Sequence, residues 1–194
     1  MRRLVLVRHA AVELRDDRPA HEWALSEAGR RAAALLAREL VFDGVESVAS
    51  SPEGKARDTA RPIAAALGVP VVVDEGLREV ARGGQRIVGR DAYLGLVRSY
   101  FAGEQVSGWE PAAAAADRFA AAVERRLGET AGDVCLVTHG LVASLYLARL
   151  RGLTAPDLPE WETMPLPAVC VADPEAGRVL SGWSGAAGEH IPRG

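Results

Sequence analysis

The sequence predicts an α/β protein, a three-layer α/β/α sandwich built around a mostly parallel central sheet. Short runs of aliphatic residues, typical of buried strands, alternate along the chain with longer segments of helical apolar spacing. The 194 residues, of which 48% are hydrophobic, suffice for one domain with a sizeable core. We therefore expect a single domain over residues 1–194, with a mobile tail over 185–194.

The first half of the chain contains three predicted strands and two predicted helices. Ser26 and Ser51 are favoured N-cap residues, each followed by apolar residues at helical spacing. Pro52 suits a first helical position, and Gly68 suits a helix end. The predicted strands are residues 4–7, 45–49 and 71–74, and the predicted helices are residues 27–41 and 52–67.

The second half continues the alternation and then ends in a hairpin. Residues 75–91 form a predicted loop, and residues 156–167 form a proline-rich connection. Two apolar runs separated by Asp-Pro-Glu-Ala-Gly predict the terminal hairpin. The predicted helices are 91–101, a helix opened by Pro111 and 141–150, and the predicted strands are 134–137, 168–172 and 178–183.

Charge and cysteine usage exclude several classes of protein. The net charge of −3 argues against nucleic acid as a partner, and no apolar run is long enough to cross a membrane. Cys135 and Cys170 lie in apolar strand-like runs, which favours buried free thiols, and no spacing typical of zinc ligands occurs. We expect a cytoplasmic protein without a metal or other cofactor and without a membrane partner, and the sequence leaves the oligomeric state open.

Two of the predicted strands are closely followed by a histidine. Arg8-His9 follows the first strand, and Thr138-His139-Gly140 follows the strand at 134–137 and opens a helix. The carboxyl ends of parallel strands meet at the edge of the sheet where ligands bind. Arginine is a forked, permanently charged phosphate ligand, and a helix N-terminus favours an anion. These residues together predict a site for a phosphoryl group.

Five landmarks of this chain, spanning residues 8–140, resemble those of the histidine phosphatase superfamily, phosphoglycerate-mutase-like branch. They occur in the order that the family shows. They are Arg8-His9, Leu25-Ser26-Glu27-Ala28-Gly29-Arg30, Ser50-Ser51-Pro52, Leu77-Arg78-Glu79 and Thr138-His139-Gly140.

The resemblance implies a metal-independent phosphomonoester phosphatase with a small phosphorylated substrate. It makes His9 the nucleophile that forms a phosphohistidine, and it makes Arg8, His139 and Gly140 ligands of the phosphoryl group. Glu79 fills the acidic position of the family and is the expected general acid. Glu13 and Glu75 are the rival acids.

Lys55 departs from the family pattern. The family has an arginine at this place, before an Ala and ahead of a Thr-Ala pair, and Lys55 is the single lysine of the chain. Lysine keeps the charge but loses the planar fork. In one reading Lys55 still binds phosphate as a point charge with a weaker grip, and in the other it has lost that role and faces solvent. Arg57 cannot replace it, because two residues along a helix lie on nearly opposite sides.

A second departure bears on the type of reaction. Mutase-type members follow Arg-His-Gly-Glu with a Trp-Asn pair, whereas this chain reads Arg8-His9-Ala10-Ala11 and contains no Asn. The resemblance therefore favours a phosphatase over a phosphoglycerate-mutase-like phosphotransferase. A weakly active phosphate-binding protein is the third reading. Ala10 can replace Gly if the backbone there needs no positive φ.

Overall fold

The computed structural model describes residues 1–83 and 89–185. Six strands and six α-helices alternate along much of this chain. The strands are β1 (Leu4–Arg8), β2 (Val45–Ser50), β3 (Val71–Val73), β4 (Asp133–Thr138), β5 (Ala168–Asp173) and β6 (Arg178–Ser184). The α-helices are α1 (Glu27–Leu36), α2 (Gly54–Leu67), α3 (Arg90–Phe101), α4 (Ala112–Gly128), α5 (Gly140–Leu150) and α6 (Leu158–Glu162).

The strands form one mixed sheet in the spatial order β3-β2-β4-β1-β5-β6. The first four strands in this order pair in parallel, and the hairpin of β5 and β6 adds antiparallel pairs beside β1. In the β1–β4 ladder Leu4 pairs with Val134 and Arg8 pairs with Thr138. The residues that follow these strands, His9 and His139, therefore leave the sheet at the same edge.

Apolar cores lie on both faces of the sheet. Successive strand residues point to opposite faces, so Leu4 and Leu6 join the core with α3, α4, α5 and α6, whereas Val5 and Val7 join the core with α1 and α2. All four side chains are fully buried, and burial of each contributes about 1.5–3 kcal/mol. Helices on both faces confirm the predicted three-layer sandwich with a mostly parallel sheet.

Two predicted helix boundaries were wrong. The first helix ends at Leu36 instead of residue 41, because Glu39 takes up extended backbone before a short 3-10 turn at Leu40–Phe42. That turn buries Phe42 and leaves Leu40 80% exposed. The second helix begins at Gly54 instead of Pro52, because the backbone at Glu53 is still extended.

Other parts of the chain follow the predictions more closely. Cys135 and Cys170 are buried free thiols, as expected. The proline-rich connection differs from the prediction, since it contains the short helix α6, which the side chain of Asp157 caps. No helix in the described part of the chain is long and apolar enough to cross a membrane. The predicted mobile tail lies, apart from residue 185, outside the described residues.

Candidate active site

His9 and His139 form the centre of the site. Their ring centroids lie 5.2 Å apart in an edge-to-face arrangement, at the ends of the neighbouring strands β1 and β4. Both side chains are buried. The paired strand ends therefore bring together two imidazoles that are 130 positions apart in the sequence.

The hydrogen bonding of His9 determines which ring nitrogen is free. Nδ1 lies 2.8 Å from the carbonyl oxygen of Ala10. A carbonyl only accepts, so Nδ1 carries the hydrogen and Nε2 carries the lone pair. Burial lowers the pKa of His9 to about 3, and the nearby charges of Lys55 and Arg8 add to the lowering. His9 is therefore neutral near pH 7 and presents a nucleophilic nitrogen.

Thr59 of α2 holds the Ala10 peptide in place. Its hydroxyl oxygen accepts a 3.0 Å hydrogen bond from the backbone N–H of Ala10 and donates a 2.8 Å hydrogen bond to the carbonyl oxygen of Lys55. No residue other than glycine among those described has positive φ, so Ala10 needs no glycine conformation, as the sequence analysis required. The tautomer of His9 thus depends on a backbone group that is fixed from a neighbouring helix.

His139 precedes the first turn of α5, at the N-cap position. Its Nε2 lies 2.7 Å from Ser51 Oγ and 3.3 Å from Glu53 Oε1. Burial lowers the pKa of His139 well below its ordinary value, and His9 and Lys55 act in the same direction. Among the described residues no group of three or more His, Cys, Asp or Glu side chains is arranged to hold a metal ion.

Arg8 lies beside the two histidines and keeps one donor free. Its Nη1 donates a 2.7 Å hydrogen bond to the carbonyl oxygen of Met164, whereas its buried Nε has no partner in the described structure. Burial lowers the pKa of Arg8, and Glu79 opposes this effect. A Cβ at Gly140 would lie 3.3 Å from Arg8 Nε and 3.0 Å from Trp161 Nε1. Glycine at this position thus leaves room between two N–H donors.

Glu79 lies against the N-terminus of α5, directly after His139. Its carboxylate accepts 3.0 Å hydrogen bonds from the backbone N–H groups of Val80 and Val142, and a 3.2 Å hydrogen bond from that of Leu141. A helix N-terminus attracts negative charge, which accounts for this position. Of the three carboxylates that the sequence singled out, Glu79 is the one that contacts the start of α5, next to His139, in the described structure.

The two rival acids lie on the surface. Glu13 is exposed and forms a 3.4 Å ion pair with Arg15. Glu75 is exposed in the short 3-10 turn Glu75–Leu77, which follows β3. Neither is bonded to Arg8, His9 or His139 in the described contacts.

Lys55 is buried and points into the site. Its Nζ donates a 2.8 Å hydrogen bond to the carbonyl oxygen of Ala20 and forms an ion pair with the Glu53 carboxylate. The reading in which Lys55 faces solvent is therefore wrong, since the residue is only 5% exposed. Arg57 is exposed on another side of α2, in agreement with the argument from helical spacing.

Glu53 is a site residue that the sequence pattern did not single out. This residue lies between the Ser-Ser-Pro landmark and Lys55, and its side chain reaches Lys55, His139 and the backbone N–H of Glu79. The feature of the sequence that could have indicated Glu53 is its carboxylate, two residues before the unusual lysine. At that spacing on a helix the two side chains would diverge, and they meet because Glu53 precedes the first turn of α2.

The chain also matches a known protein family. The family model of the histidine phosphatase superfamily (branch 1) matches residues 4–183. The chain belongs to this superfamily. The matched range includes all five landmarks, so the resemblance noted in the sequence is confirmed.

Individual relatives are more distant or match over shorter lengths. A protein of Hydrogenobacter thermophilus, provisionally named phosphoserine phosphatase 2, is 41% identical over 86 residues, which are 43% of this chain and 42% of the relative. The chain thus matches less than half of that relative's length. A mycobacterial glucosyl-3-phosphoglycerate phosphatase with bound inorganic phosphate is 24% identical, with a TM-score of 0.73 over 95% of each chain. Bacillus stearothermophilus YhfR is 22% identical, with a TM-score of 0.76 over 93% of this chain and 95% of its own. At these identities the two structures share the fold.

Proposed function

We propose that this protein is a metal-independent phosphomonoester phosphatase that acts through a phosphohistidine at His9. The observation that supports this most directly is the state of His9. The imidazole is buried and neutral, and its Nδ1–H is bonded to Ala10, which leaves the Nε2 lone pair for attack. The nucleophile is therefore already in the required protonation state before the substrate binds.

In the first step His9 Nε2 attacks the phosphorus atom of the substrate. The P–N bond forms as the P–O ester bond breaks, and Glu79, which enters this step in its protonated form, gives its proton to the leaving oxygen. In the second step Glu79 takes a proton from water, and the resulting hydroxide attacks phosphorus and releases His9 and inorganic phosphate. The contacts of Glu79 with the first backbone N–H groups of α5, the helix that begins directly after His139, support this role in both proton transfers.

Arg8, Lys55, His139 and Gly140 hold the phosphoryl oxygens in this proposal. Arg8 Nε is the donor most clearly available, since it is buried and unpartnered in the described structure. Negative charge that builds on the equatorial oxygens is stabilised best by donors already in position in a site shielded from water. The burial of Arg8 and His139 supplies that environment.

The substrate in this proposal is a small phosphorylated molecule. Two of the similar proteins carry names that refer to phosphoserine and glucosyl-3-phosphoglycerate, and both of these are small phosphomonoesters. The names of these two relatives support the general class and leave the individual substrate to experiment.

A generic aryl phosphate assayed in EDTA tests the proposal. We expect the wild type to release the aryl alcohol in the presence of the chelator and His9→Ala to lose this activity. His21→Ala is the matched control, because His21 is exposed and lies outside the site. Activity that needs an added metal ion, or that survives in His9→Ala, would contradict the proposed mechanism.

One observation favours a second candidate, a protein that binds phosphate with little turnover. The ammonium group of Lys55 is already paired with Glu53 and bonded to Ala20. Phosphate binding by a wild type that hydrolyses no aryl phosphate and none of a panel of small phosphomonoesters would establish this alternative.

A further inference from the structure

Glu53 places a carboxylate among the groups that would bind the phosphoryl group. Its Oε2 pairs with Lys55 Nζ, its Oε1 lies 3.3 Å from His139 Nε2, and the same Oε1 accepts a 3.0 Å hydrogen bond from the backbone N–H of Glu79. The side chain is only 11% exposed. One carboxylate therefore touches two of the proposed phosphate ligands and the backbone of the proposed acid.

A carboxylate and a phosphoryl group make the same kinds of contact. Both are anions whose oxygens accept hydrogen bonds from ammonium, imidazole and backbone N–H groups. The contacts of Glu53 are thus those that an oxygen of a bound phosphoryl group would make. Both histidines are neutral. The positive side chains that act on them are Arg8, Lys55 and, for His139, Arg82, and the charge of Lys55 is matched by Glu53.

We propose that Glu53 sets the affinity of the site for the phosphoryl group by competing with it for Lys55 and His139. This inference rests on the proposed function, because it concerns the same phosphoryl site. A substrate gains less from Lys55 when that cation already has a buried partner. The product, inorganic phosphate, is likewise held less tightly and leaves more readily. Glu53 thus acts on the bound phosphoryl group through the ligands that it contacts.

The competition predicts a definite pattern in three variants. Glu53→Gln keeps the size of the side chain, removes its charge and frees Lys55, so inorganic phosphate should bind at least about tenfold more tightly, equal to about 1.4 kcal/mol. Lys55→Met should bind phosphate at least about tenfold more weakly, because the Glu53 charge is then unopposed. The double variant, Glu53→Gln with Lys55→Met, removes one positive and one negative charge together, so its phosphate affinity should be close to that of the wild type.

Titration calorimetry with inorganic phosphate in metal-free buffer measures these affinities directly. Asp58→Asn is the matched control, because it removes one negative charge from α2, the helix that begins directly after Glu53, on a partly exposed side chain that is paired with Arg61. This variant should leave the phosphate affinity unchanged. Thermal unfolding with and without phosphate shows whether each variant is folded. If Glu53→Gln does not fold, because Lys55 then lacks its buried partner, the comparison of Lys55→Met with the double variant carries the same test.

The outcomes separate this inference from the proposed function. Tighter phosphate binding in Glu53→Gln, or in the double variant relative to Lys55→Met, supports the competition even if the wild type shows no turnover. Equal or weaker binding in a folded Glu53→Gln overturns the inference, as does a double variant that binds no better than Lys55→Met. In either of these cases aryl phosphate turnover that requires His9 would leave the proposed function intact.

Discussion

Thr59→Val tests the claim that a backbone carbonyl fixes the nucleophile. Thr59 is fully buried, and its hydroxyl is the acceptor for the backbone N–H of Ala10. Valine has nearly the same shape but no acceptor, so the N–H of Ala10 becomes a buried donor without a partner. We expect the free energy of unfolding to fall by about 1–3 kcal/mol, which is the cost of such an unsatisfied group.

The substitution should also slow catalysis, by a free energy similar to the loss of stability, since each tenfold in rate is about 1.4 kcal/mol. The Ala10 carbonyl accepts the Nδ1–H of His9, so a shift of this peptide rotates the ring away from the line of attack. Misplacement of a reacting group by about 1 Å costs up to about a hundredfold in rate, and we expect kcat of Thr59→Val to fall by about ten- to a hundredfold. Urea unfolding measures the stability change, and the aryl phosphate assay measures kcat.

Thr59→Ser is the control for this experiment. Serine keeps the hydroxyl and loses one buried methyl group, which should cost about 1 kcal/mol of stability with little change in kcat. A folded Thr59→Val with wild-type kcat would refute the reasoning. Equal losses of kcat in the serine and valine variants would refute it as well, because the hydroxyl would then be irrelevant.

Two further changes test the packing and the electrostatics of the site. Gly29→Ala should destabilise the fold by about 3 kcal/mol or more, because its Cβ would lie 2.0 Å from the Ala11 carbonyl oxygen. Gly95→Ala, in open space within α3, should stabilise the fold by about 0.5–1 kcal/mol. Thermal unfolding that ranks the two variants in the opposite order would contradict the packing. Histidines of the unfolded chain take up protons near pH 6.5, whereas folded His9 does so only near pH 3 and folded His139 only well below its ordinary pKa. The unfolded state therefore binds more protons in this range, and the free energy of unfolding should fall as the pH decreases from about 6.5 to about 3. Each histidine contributes up to about 1.4 kcal/mol per pH unit to this slope, and His9→Gln should show a shallower slope in urea unfolding; an unchanged slope would mean that His9 is not held neutral.

Local sequence signals predicted much of the fold because they act within short segments. The buried strand Leu4–Arg8 and the left-handed Gly68 that ends α2 follow from hydrophobicity and backbone preference alone. The predicted end of the first helix was wrong because Leu40 is apolar and continues the helical spacing. In the structure Leu40 lies in a separate 3-10 turn, where it is exposed and Phe42 is buried in the core instead. Periodicity cannot distinguish these two uses of apolar residues.

The site was predictable where it follows from strand ends and less so where it depends on contacts distant in sequence. Adjacent strands bring Arg8 and His9 to His139, as expected from the two similar strand endings. The position of Glu53 depends on an extended residue before α2 and on partners up to 86 positions away. The Ala10 carbonyl that orients His9 is a backbone group, and no residue type marks it in the sequence.

Trapping of the phosphoenzyme tests the central claim most directly. Wild-type protein mixed with an aryl phosphate, denatured rapidly in alkali and analysed by peptide mass spectrometry should carry a phosphoryl group on His9. This group should be lost on mild acid treatment, as expected for a phosphohistidine, and it should be absent from His9→Ala. Turnover without a phosphoryl group on His9, or with the group on another residue, would contradict the account.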